Sequence, residues 1–266
     1  MKIAVVTGAS SGMGKQFALK LDSLGFDQIW GVALEEDLLN QVANSLSTPM
    51  RCFAVDLTDG GVQAVVDALQ QEKPEVAWLV NASGFGKFGR YDQIPTEQVT
   101  NMIRLNCEAL VQMTDACLPY MKEGARIVQF GSVAAFQPTP YVNVYAATKA
   151  FVYSYSRALR VELKSRKIKV TVVCPFWTKT AFFDRAEKQK DKVIIKYSVM
   201  YDAQKVVEKA FRDAKKGKAR SIYGFIAGAQ VFLVKLLPAS WVMNIWCNQQ
   251  KFDKRYADKQ DVNNEG

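Results

Sequence analysis

The chain has 266 residues, of which 49% are hydrophobic and 23% are charged, so it can bury a full globular core as one large α/β domain or two small ones. It contains no histidine. That absence excludes Ser-His-Asp hydrolysis, Cys-His proteolysis and metal sites that use histidine ligands. We therefore expect a carboxylate, a lysine or a tyrosine to carry protons in any catalysis.

The cysteines indicate a reducing compartment. There are five, an odd number, and none forms a Cys-x-x-Cys pair. This pattern favours free thiols in a cytosol over a disulfide scaffold or a zinc site. The first residues lead directly into an apolar strand and leave no room for a signal peptide, so we expect a cytoplasmic protein. The five positions are Cys52, Cys107, Cys117, Cys174 and Cys247.

The formal net charge of +9 is concentrated in one part of the chain. Residues 185–220 contain twelve Lys or Arg against five Asp or Glu. A basic helical stretch of this kind is usually a solvated face, and its functional alternatives are attraction of an anionic substrate, an anionic cofactor or a membrane surface. No recognised nucleic-acid motif accompanies it, so we expect no nucleic-acid partner.

Short apolar runs alternate with helix-length amphipathic segments along the chain. Strands separated by helices pair in parallel through right-handed crossovers. The pattern predicts one α/β domain over residues 1–266, with a doubly wound parallel sheet of about six or seven strands and helices on both faces. The predicted strands are residues 3–7, 28–32, 51–55, 76–80, 126–130 and 169–173, and the predicted helices are residues 14–24, 36–45, 62–71, 97–121 and 145–165.

A glycine-rich turn joins the first predicted strand to the first predicted helix. From Thr7 to Gly14 the sequence reads TGASSGMG. Its glycines let the backbone turn tightly and approach a pyrophosphate, while the helix N-terminus offers unpaired amides. The spacing is Gly-x-x-x-Gly-x-Gly and not the G-x-G-x-x-G fingerprint, so a purely structural turn stays open as the alternative.

Polar or small residues follow the third and fourth predicted strands, at the sheet edge where doubly wound folds bind ligands. Asp56 and Leu57 follow the third strand, and a carboxylate there can accept a hydrogen bond from an adenine amino group. Asp56 has an alternative role as a cap before Thr58. The fourth strand leads into residues 81–84, Asn-Ala-Ser-Gly, whose small side chains let a cofactor lie across the strand ends.

A tyrosine, a lysine and a serine suggest catalytic chemistry without histidine. The segment YAATK places Tyr145 four residues before Lys149, so the two share one face of a predicted helix. An unperturbed phenol has a pKa of about 10, and a nearby ammonium would lower it. Ser132 ends the fifth apolar run, where its hydroxyl can bond a reacting carbonyl or alcohol oxygen. The alternative is a packed tyrosine ring beside a solvated amine.

With these motifs in order, about residues 3–185 resemble the short-chain dehydrogenase/reductase family, which implies a Rossmann-type sheet. The resemblance implies a catalytic tetrad of Asn106, Ser132, Tyr145 and Lys149. Tyr145 would be the acid for ketone reduction and the base for alcohol oxidation. Lys149 would lower the pKa of Tyr145 and hold the nicotinamide ribose. Ser132 would orient the substrate oxygen, and Asn106 would hold a water of the proton relay.

The resemblance also implies a nicotinamide dinucleotide, NADP or NAD. Family members that use NAD commonly end the second strand with an acid, and those that use NADP commonly carry a basic residue just beyond it or in the glycine turn. Here those places read Ala33, Leu34 and Ser11, which slightly favours NADP, although Glu35 and Glu36 would repel a 2′-phosphate. The cofactor residues implied are Gly8, Ser10, Ser11, Gly12, Met13, Gly14, Asp56, Leu57, Asn81, Ala82, Gly84, Tyr145, Lys149, Pro175 and Thr180.

The chain departs from the family pattern after the sixth predicted strand. The usual Pro-Gly is replaced by Pro175, Phe176 and Trp177, so two aromatic rings stand where a flexible glycine is expected beside the nicotinamide. They would narrow the pocket or stack on a flat substrate, and ordinary packing is the alternative. Phe182 and Phe183 follow closely.

Residues 186–266 are expected to form a substrate lid and an apolar helical C-terminal extension on a core of residues 1–185. Residues 222–247 are strongly apolar, but Lys235 and Pro238 interrupt them, so a membrane-spanning helix is not expected. Three interpretations stay open for this segment: core or dimer-interface packing, a hydrophobic lid, and a membrane-surface anchor.

The sequence therefore predicts an NAD(P)-dependent oxidoreductase that interconverts a secondary alcohol and a ketone, on a hydrophobic substrate such as a steroid or an acyl ketone. Epimerisation through a transient ketone is an alternative reaction on the same fold. A nucleotide-binding sensor or scaffold with little catalysis is the alternative of another class. The resemblance implies a homodimer or homotetramer, a membrane surface is left open but not favoured, and no metal site is expected.

Overall fold

The central sheet of the protein is assembled from its apolar runs. The computed structural model describes residues 1–180, 182, 186 and 193–252. Except for the edge strand β3, each main strand is almost wholly buried, because helices cover both faces of the parallel sheet. The main strands are β1 (Lys2–Thr7), β2 (Gln28–Ala33), β3 (Met50–Ala54), β4 (Glu75–Asn81), β5 (Arg126–Phe130) and β6 (Lys169–Val173).

Three two-residue strands complete the described sheets: β7 (Thr178–Lys179), β8 (Tyr201–Asp202) and β9 (Arg220–Ser221). Seven strands form one parallel sheet in the order β3-β2-β1-β4-β5-β6-β9, and β7 pairs with β8 separately. The predicted doubly wound sheet is confirmed. The chain order reverses between β1 and β4, where the ends Thr7 and Asn81 lie in register. Folds of this class bind ligands at that switch point.

The helices follow the predicted segments with one exception, residues 97–121. Here α4 (Thr96–Ile103) and α5 (Ala109–Cys117) are separated by a π-helical segment, Arg104–Glu108. The apolar periodicity does not reveal this change because the helix direction continues through it. The other helices are α1 (Gly12–Leu21), α2 (Glu36–Ala43), α3 (Gly61–Glu72), α6 (Asn143–Glu162), α7 (Ala203–Lys215), α8 (Phe225–Leu233) and α9 (Ala239–Gln250).

Two apolar layers hold the helices to the two faces of the sheet. One layer includes Trp30 and Met113, and the other includes Phe17, whose ring contacts Trp78 and Phe211. Trp30 and Phe17 are fully buried. Burial of one such ring contributes about 2 to 3 kcal/mol to the free energy of unfolding. This core fixes the strand ends at which the polar motif residues lie.

The C-terminal helices lie beside the sheet and pack on it only in part. Helix α8 contacts the turn that follows β5 through buried Ala227 and Val231. Helix α9 is held by buried Val242 and Gln250. Among the described residues, no helix has the length and apolar character needed to span a bilayer.

Candidate active site

The glycine turn between β1 and α1 brings three backbone segments into contact. Gly8 has φ +68°, and a Cβ there would lie 2.9 Å from the backbone nitrogen of Ser83. A Cβ at Gly14 would lie 2.1 Å from the carbonyl oxygen of Gly8. Only glycine permits both approaches. The turn is therefore a close-packed cradle, as expected for a site where a phosphate group meets the backbone.

The start of α1 offers backbone amides to an anionic group. Ser11 occupies the N-cap position, and its side chain makes no capping hydrogen bond within the described part of the chain. Gly12 has φ +54°, a conformation that favours glycine. Helix N-termini of this kind bind phosphates through their amides and dipole. The residues present thus fit a dinucleotide pyrophosphate.

Ser10 connects this turn to the end of β2. It is buried, and its hydroxyl donates a hydrogen bond of 3.2 Å to Oε2 of Glu35. Glu35 is the N-cap residue of α2, two positions beyond the last residue of β2. Its carboxylate is thereby directed at the glycine turn. The sequence indicated that Glu35 is near the cofactor region, and the structure supplies this specific contact.

Asn81 ends β4, and its side chain faces the interior of the fold. Its side chain is buried, and its amide group is directed at Thr114 Oγ1 (3.1 Å) and Gln129 Oε1 (3.0 Å). It joins β4 to β5 and α5 in the interior and does not line the cavity described below. The structure gives this side chain a role as a bridge between β4, β5 and α5, and a direct cofactor contact by Asn81 stays a prediction. Its Nδ2 has internal partners, whereas its Oδ1 is buried without a hydrogen-bond partner among the described residues.

Asp56 forms a local turn with Thr58 and is not the N-cap of α3, which is Gly60. Its Oδ1 accepts hydrogen bonds from the backbone nitrogen of Thr58 at 2.8 Å and from the Thr58 hydroxyl at 2.7 Å. The neighbouring Leu57 is buried in the core layer that contains Trp30. Neither residue lines the cavity that holds the tyrosine and lysine, so the adenine contact stays a prediction.

Ser132, Tyr145 and Lys149 meet at one end of the sheet. Ser132 follows β5 and is the N-cap of a short 3-10 turn, where its Oγ accepts from the backbone nitrogen of Ala134 at 3.2 Å. Tyr145 and Lys149 lie on α6, and Lys149 Nζ is 5.7 Å from the centroid of the Tyr145 ring. Lys149 Nζ donates to the carbonyl oxygen of Phe130 at 2.9 Å. All three predicted side chains therefore line the same cavity.

The pKa values of this pair are set first by burial. Burial raises the pKa of Tyr145 to about 12, although a hydrogen bond with Ser132 acts to lower it. Burial lowers the pKa of Lys149 to about 8, and the neighbouring Cys107 and Cys174 act in the opposite direction. Lys149 was expected to lower the pKa of Tyr145, but burial raises that pKa instead. Desolvation penalises both charged forms, and the phenol is left neutral at pH 7.

Asn106 lies on the π-helical segment and connects two other segments of the site by hydrogen bonds. Its Oδ1 accepts from the backbone nitrogen of Phe85 at 3.1 Å, and its Nδ2 donates to the Phe85 carbonyl at 2.9 Å and to Thr148 Oγ1 at 3.0 Å. It thereby joins the segment after β4 to α6. A Cβ at Gly84 would lie 2.8 Å from Asn106 Oδ1 and 3.3 Å from Lys149 Nζ, so this approach also requires glycine. π-helical turns are frequent at functional sites.

These elements surround a cavity of about 370 Å³. Its wall holds a cluster of aromatic rings: Phe88 lies 6.2 Å from the ring centre of Tyr145 and 6.4 Å from that of Trp177. Of the residues predicted from sequence, those that line the cavity are Met13, Ala82, Gly84, Ser132, Tyr145, Lys149, Pro175, Phe176, Trp177, Thr180 and Phe182. Phe183 lies outside the described residues.

Sequence reasoning missed the wall contributed by distant segments. Trp246 on α9 stacks on Trp177 at 6.4 Å and donates from Nε1 to the carbonyl of Pro140 at 3.0 Å. Gln230 on α8 and Gln249 on α9 also face the cavity. The apolar character of residues 222–247 was the available signal, but it could not identify these positions. Other lining residues that were missed include Phe88, Gln137, Thr139, Lys196 and Tyr197.

The family model described as short chain dehydrogenase matches residues 2–191. This chain belongs to the short-chain dehydrogenase family. The predicted family and the predicted enzyme class are thus confirmed, and the protein is an oxidoreductase of the class that acts on CH-OH and keto groups.

Relatives of this short-chain dehydrogenase extend over most of its length. The probable short-chain type dehydrogenase/reductase VdlC of Helicobacter pylori is 28% identical over 263 residues, covering 90% of this chain and 94% of its own. Sulfoacetaldehyde reductase 2 of Chromohalobacter salexigens is 35% identical over 187 residues, covering 68% and 74%. A solved short-chain dehydrogenase from Sphingobium yanoikuyae in complex with NADPH has a TM-score of 0.75 at 25% identity, covering 90% and 97%.

Proposed function

We propose that this short-chain dehydrogenase is an NAD(P)-dependent oxidoreductase that interconverts a secondary alcohol and a ketone on a bulky apolar substrate. One observation carries the proposal: Ser132, Tyr145 and Lys149 line a cavity of about 370 Å³ together with aromatic rings. The hydroxyl and the phenol can bond one carbonyl oxygen, the ammonium can stabilise the phenolate, and the rings can hold the apolar remainder.

The cofactor is a nicotinamide dinucleotide held along the switch point of the sheet. The glycine turn and the N-terminus of α1 would hold its pyrophosphate, and Ala82 and Gly84 would lie beneath it. Bound there, it supplies or accepts the hydride. Met13 and Thr180, which line the cavity, mark the passage between the turn and the substrate end.

The protein side chains handle the oxygen and the proton. In the direction of reduction, Ser132 Oγ donates a hydrogen bond to the ketone oxygen, and Tyr145 transfers its phenolic proton to that oxygen as the carbonyl carbon receives hydride. The products are then the alcohol and a tyrosinate, which Lys149 stabilises by its charge. Oxidation of the alcohol runs through the reverse transfers, with Tyr145 as the base.

The two pKa values set the protonation states from which either direction starts. A phenol whose pKa is about 12 carries its proton at neutral pH and can donate it to a ketone. The Lys149 ammonium, with a pKa near 8, is then mostly charged. Alcohol oxidation would first require Tyr145 to lose its proton, so we expect the rate of oxidation to rise as the pH is raised above 7.

The cavity lining supports an apolar substrate of some bulk, such as a steroid or an acyl ketone. Phe88, Trp177, Phe182 and Trp246 supply flat hydrophobic walls. Phe176 faces the same cavity and contacts Tyr201. Apolar walls with a few convergent polar groups are typical of sites for such ligands.

The contact between Ser10 and Glu35 bears on the choice of cofactor. A carboxylate beside the glycine turn accepts hydrogen bonds from ribose hydroxyls and opposes a 2′-phosphate. The slight preference for NADP drawn from the missing acid at the strand end is thus countered by a carboxylate two residues later. This supports NAD as the preferred cofactor.

A cytoplasmic, oligomeric enzyme completes the proposal. All five cysteines are free thiols. Helices α4 and α6 pack together and expose Ile103, Phe151 and Val161, which supports a homodimer or homotetramer formed through these helices. Light scattering on the purified protein would give the number of subunits, and a monomer at micromolar concentration would contradict this part of the proposal.

The function is tested by following the absorbance of NADH and NADPH with purified protein and a panel of ketones, from small aliphatic ketones to steroids. We expect turnover with bulky ketones. Tyr145→Phe removes the proton donor and keeps the ring, and it should lower kcat/KM by about 100-fold or more. Tyr153→Phe is the matched control, since Tyr153 lies on the same helix and packs on Phe136 through its ring.

Turnover that Tyr145→Phe leaves intact would contradict the assigned acid. Nucleotide binding without turnover across the panel would favour a sensor or scaffold. Conversion of a chiral alcohol into its epimer without net change of cofactor would instead indicate epimerisation.

A further inference from the structure

Helices α8 and α9 expose a dense apolar surface. Half of the large apolar side chains that the described chain exposes lie within residues 225–245. Isolated exposed apolar residues are normal, but a cluster of this size marks an interaction surface. We name it the α8–α9 surface, and its members are Phe225, Ile226, Phe232, Leu233, Leu236, Leu237, Trp241 and Ile245.

The surface belongs to a firmly attached part of the fold. Ala227 and Val231 anchor α8 beside the Ser132 turn. Gln250, at the end of α9, is buried and accepts hydrogen bonds at Oε1 from the backbone nitrogens of Ile195 (3.0 Å) and Lys196 (3.1 Å). Its Nε2 donates to the Lys196 carbonyl at 3.0 Å. Each helix therefore buries one edge and presents the other to its surroundings.

The charged residues within the segment that carries this surface have one sign. Residues 222–252 contain two lysines, Lys235 and Lys251, and no aspartate or glutamate. Lys235 Nζ lies 5.4 Å from the ring centre of Phe136, and the guanidinium carbon of Arg220 lies 5.7 Å from the same ring. Both cations thus lie beside Phe136, which packs against the buried face of α8. The charge pattern is complementary to an anionic partner.

This charge pattern opposes a second copy of the chain as the occupant. In a two-fold interface the same patch meets itself, so Lys235 and Arg220 would face groups of their own sign with no acid in the patch to pair them. Anionic lipid headgroups supply the missing negative charge. An exposed tryptophan such as Trp241 is also typical of side chains at a membrane interface.

We propose that the α8–α9 surface rests on an anionic lipid bilayer. Helices of nine and twelve residues are too short to span it and can lie in the headgroup region with their apolar edges inserted. Lys235 and Arg220 contact the headgroups. The bilayer-facing helices also carry Gln230, Trp246 and Gln249 in the cavity wall, so an apolar ketone dissolved in the membrane reaches the site past α8 and α9.

The test is co-sedimentation of the full chain with vesicles, which measures binding without turnover and so is independent of the proposed function. Vesicles of phosphatidylcholine with phosphatidylglycerol are compared with vesicles of phosphatidylcholine alone, at low and high salt. We expect binding to the anionic vesicles and a loss of about 30-fold in affinity without the anionic lipid, the equivalent of about 1 kcal/mol for each of Lys235 and Arg220. Light scattering without vesicles reports self-association.

Two double variants test the surface itself. Phe232→Ser with Leu236→Ser removes an aromatic ring and a leucine that are 64% and 65% exposed, and it should weaken binding by about tenfold or more. Tyr91→Ser with Leu34→Ser removes an aromatic ring and a leucine that are 83% and 63% exposed elsewhere, and it should bind as the native chain does. Thermal unfolding of both variants verifies that they are folded.

Lys235→Glu places an acid in the surface and should abolish the preference for anionic lipid while leaving the fold intact. The proposal is overturned if the native chain sediments with neither type of vesicle, or if the two double variants lose binding equally. It is also overturned if the native chain forms an oligomer that Phe232→Ser with Leu236→Ser dissociates, because the surface would then be a subunit interface.

Discussion

The two ends of the active-site cavity are built in opposite ways. At the cofactor end the contacts are between backbones: Gly8 and Gly14 let β1, α1 and the end of β4 approach to distances that any Cβ would prevent. At the substrate end the contacts are between side chains, among them the stacked rings of Trp177 and Trp246. The first end tolerates almost no change in sequence, whereas the second can be reshaped by substitution of one ring.

The difference explains which features a sequence reveals. A backbone cradle requires glycine at fixed spacing, so the turn from Thr7 to Gly14 is legible as a motif. A side-chain wall can be built from any large apolar residue that the topology brings near, and Trp246 comes from a helix about one hundred residues after Tyr145. Function at the two ends can therefore be separated by mutation.

The largest effect is expected from Gly14→Ala. The added Cβ would lie 2.1 Å from the Gly8 carbonyl oxygen, so the turn must open. We expect a loss of about 3 kcal/mol in the free energy of unfolding and loss of nucleotide binding, measured by urea denaturation and by cofactor fluorescence.

Gly228→Ala on α8 is the matched control, because within the described chain no heavy atom of another element lies within 4 Å of the added Cβ. This change should stabilise the protein by about 0.5 to 1 kcal/mol, since alanine is the better helix former. Equal destabilisation by the two variants would contradict the claim that close backbone contacts make the cofactor end intolerant of substitution.

The second-largest effect concerns the buried charge of Lys149 and the pH dependence of the free energy of unfolding. The pKa of Lys149 is lowered from 10.5 to about 8, so between these values the unfolded chain binds more protons than the folded chain. Stability from this group therefore rises with pH across that window. Relative to Lys149→Met, the native chain should gain about 2 kcal/mol between about pH 7.5 and about pH 10, measured by urea denaturation at each pH.

Lys164→Met is the control. Lys164 is exposed and lies just beyond the end of α6, so this variant measures the effect of losing one surface charge. If the stability difference between the native chain and Lys149→Met does not change with pH, the ammonium is not destabilised by burial. The ammonium groups of Lys149 and Lys164 would then not differ in their effect on the pH dependence of stability.

A third effect tests the attachment of the substrate end. Gln250→Met removes three hydrogen bonds to the backbone of Ile195 and Lys196 and leaves those groups without their side-chain partner. We expect a loss of about 1 to 2 kcal/mol and faster proteolysis near residues 193–198, with a larger rise in KM for ketones than for the nucleotide. Gln249→Met makes the same change one position away, and its unfolding curve should match that of the native chain.

The smallest effect concerns cofactor choice. Glu35→Gln removes the negative charge beside Ser10 and keeps its hydrogen-bonding oxygen. We expect the ratio of NADPH to NADH in kcat/KM to rise by about two- to fivefold, equivalent to less than about 1 kcal/mol. Glu36→Gln, at the next residue, should raise the ratio by less, because the hydroxyl of Ser10 bonds Glu35. A fall in the ratio for Glu35→Gln would contradict the proposed repulsion between the Glu35 carboxylate and the 2′-phosphate of NADPH.

The sheet was predictable from sequence because buried parallel strands are uniform apolar runs, and six of its seven strands were assigned from such runs. The seventh, β9, has only two residues and no apolar run, so its place beside β6 depends on tertiary packing. Ser132, Tyr145 and Lys149 were brought together as predicted. The burial that sets the pKa values of Tyr145 and Lys149 was not predictable, since it depends on residues from the rest of the chain.

Asn81 shows a second limit of motif reasoning. The position was recognised, but a motif does not say whether a side chain faces the ligand or the interior. Its amide lies within hydrogen-bonding distance of Thr114 and Gln129, residues on two other elements that the sequence does not mark as neighbours. The same reasoning applies to the α8–α9 surface, whose exposure is visible only once its helices are placed.

The π-helical segment Arg104–Glu108 has a consequence for the length of the chain. A π turn holds one residue more than an α turn, and each residue of an α-helix rotates the next by about 100°. A protein shortened by one residue here would keep a regular helix but would turn Asn106 away from Phe85 and Thr148. Single-residue deletions at this point should therefore be more damaging than most substitutions. The number of residues in this segment sets the direction in which Asn106 faces Phe85 and Thr148.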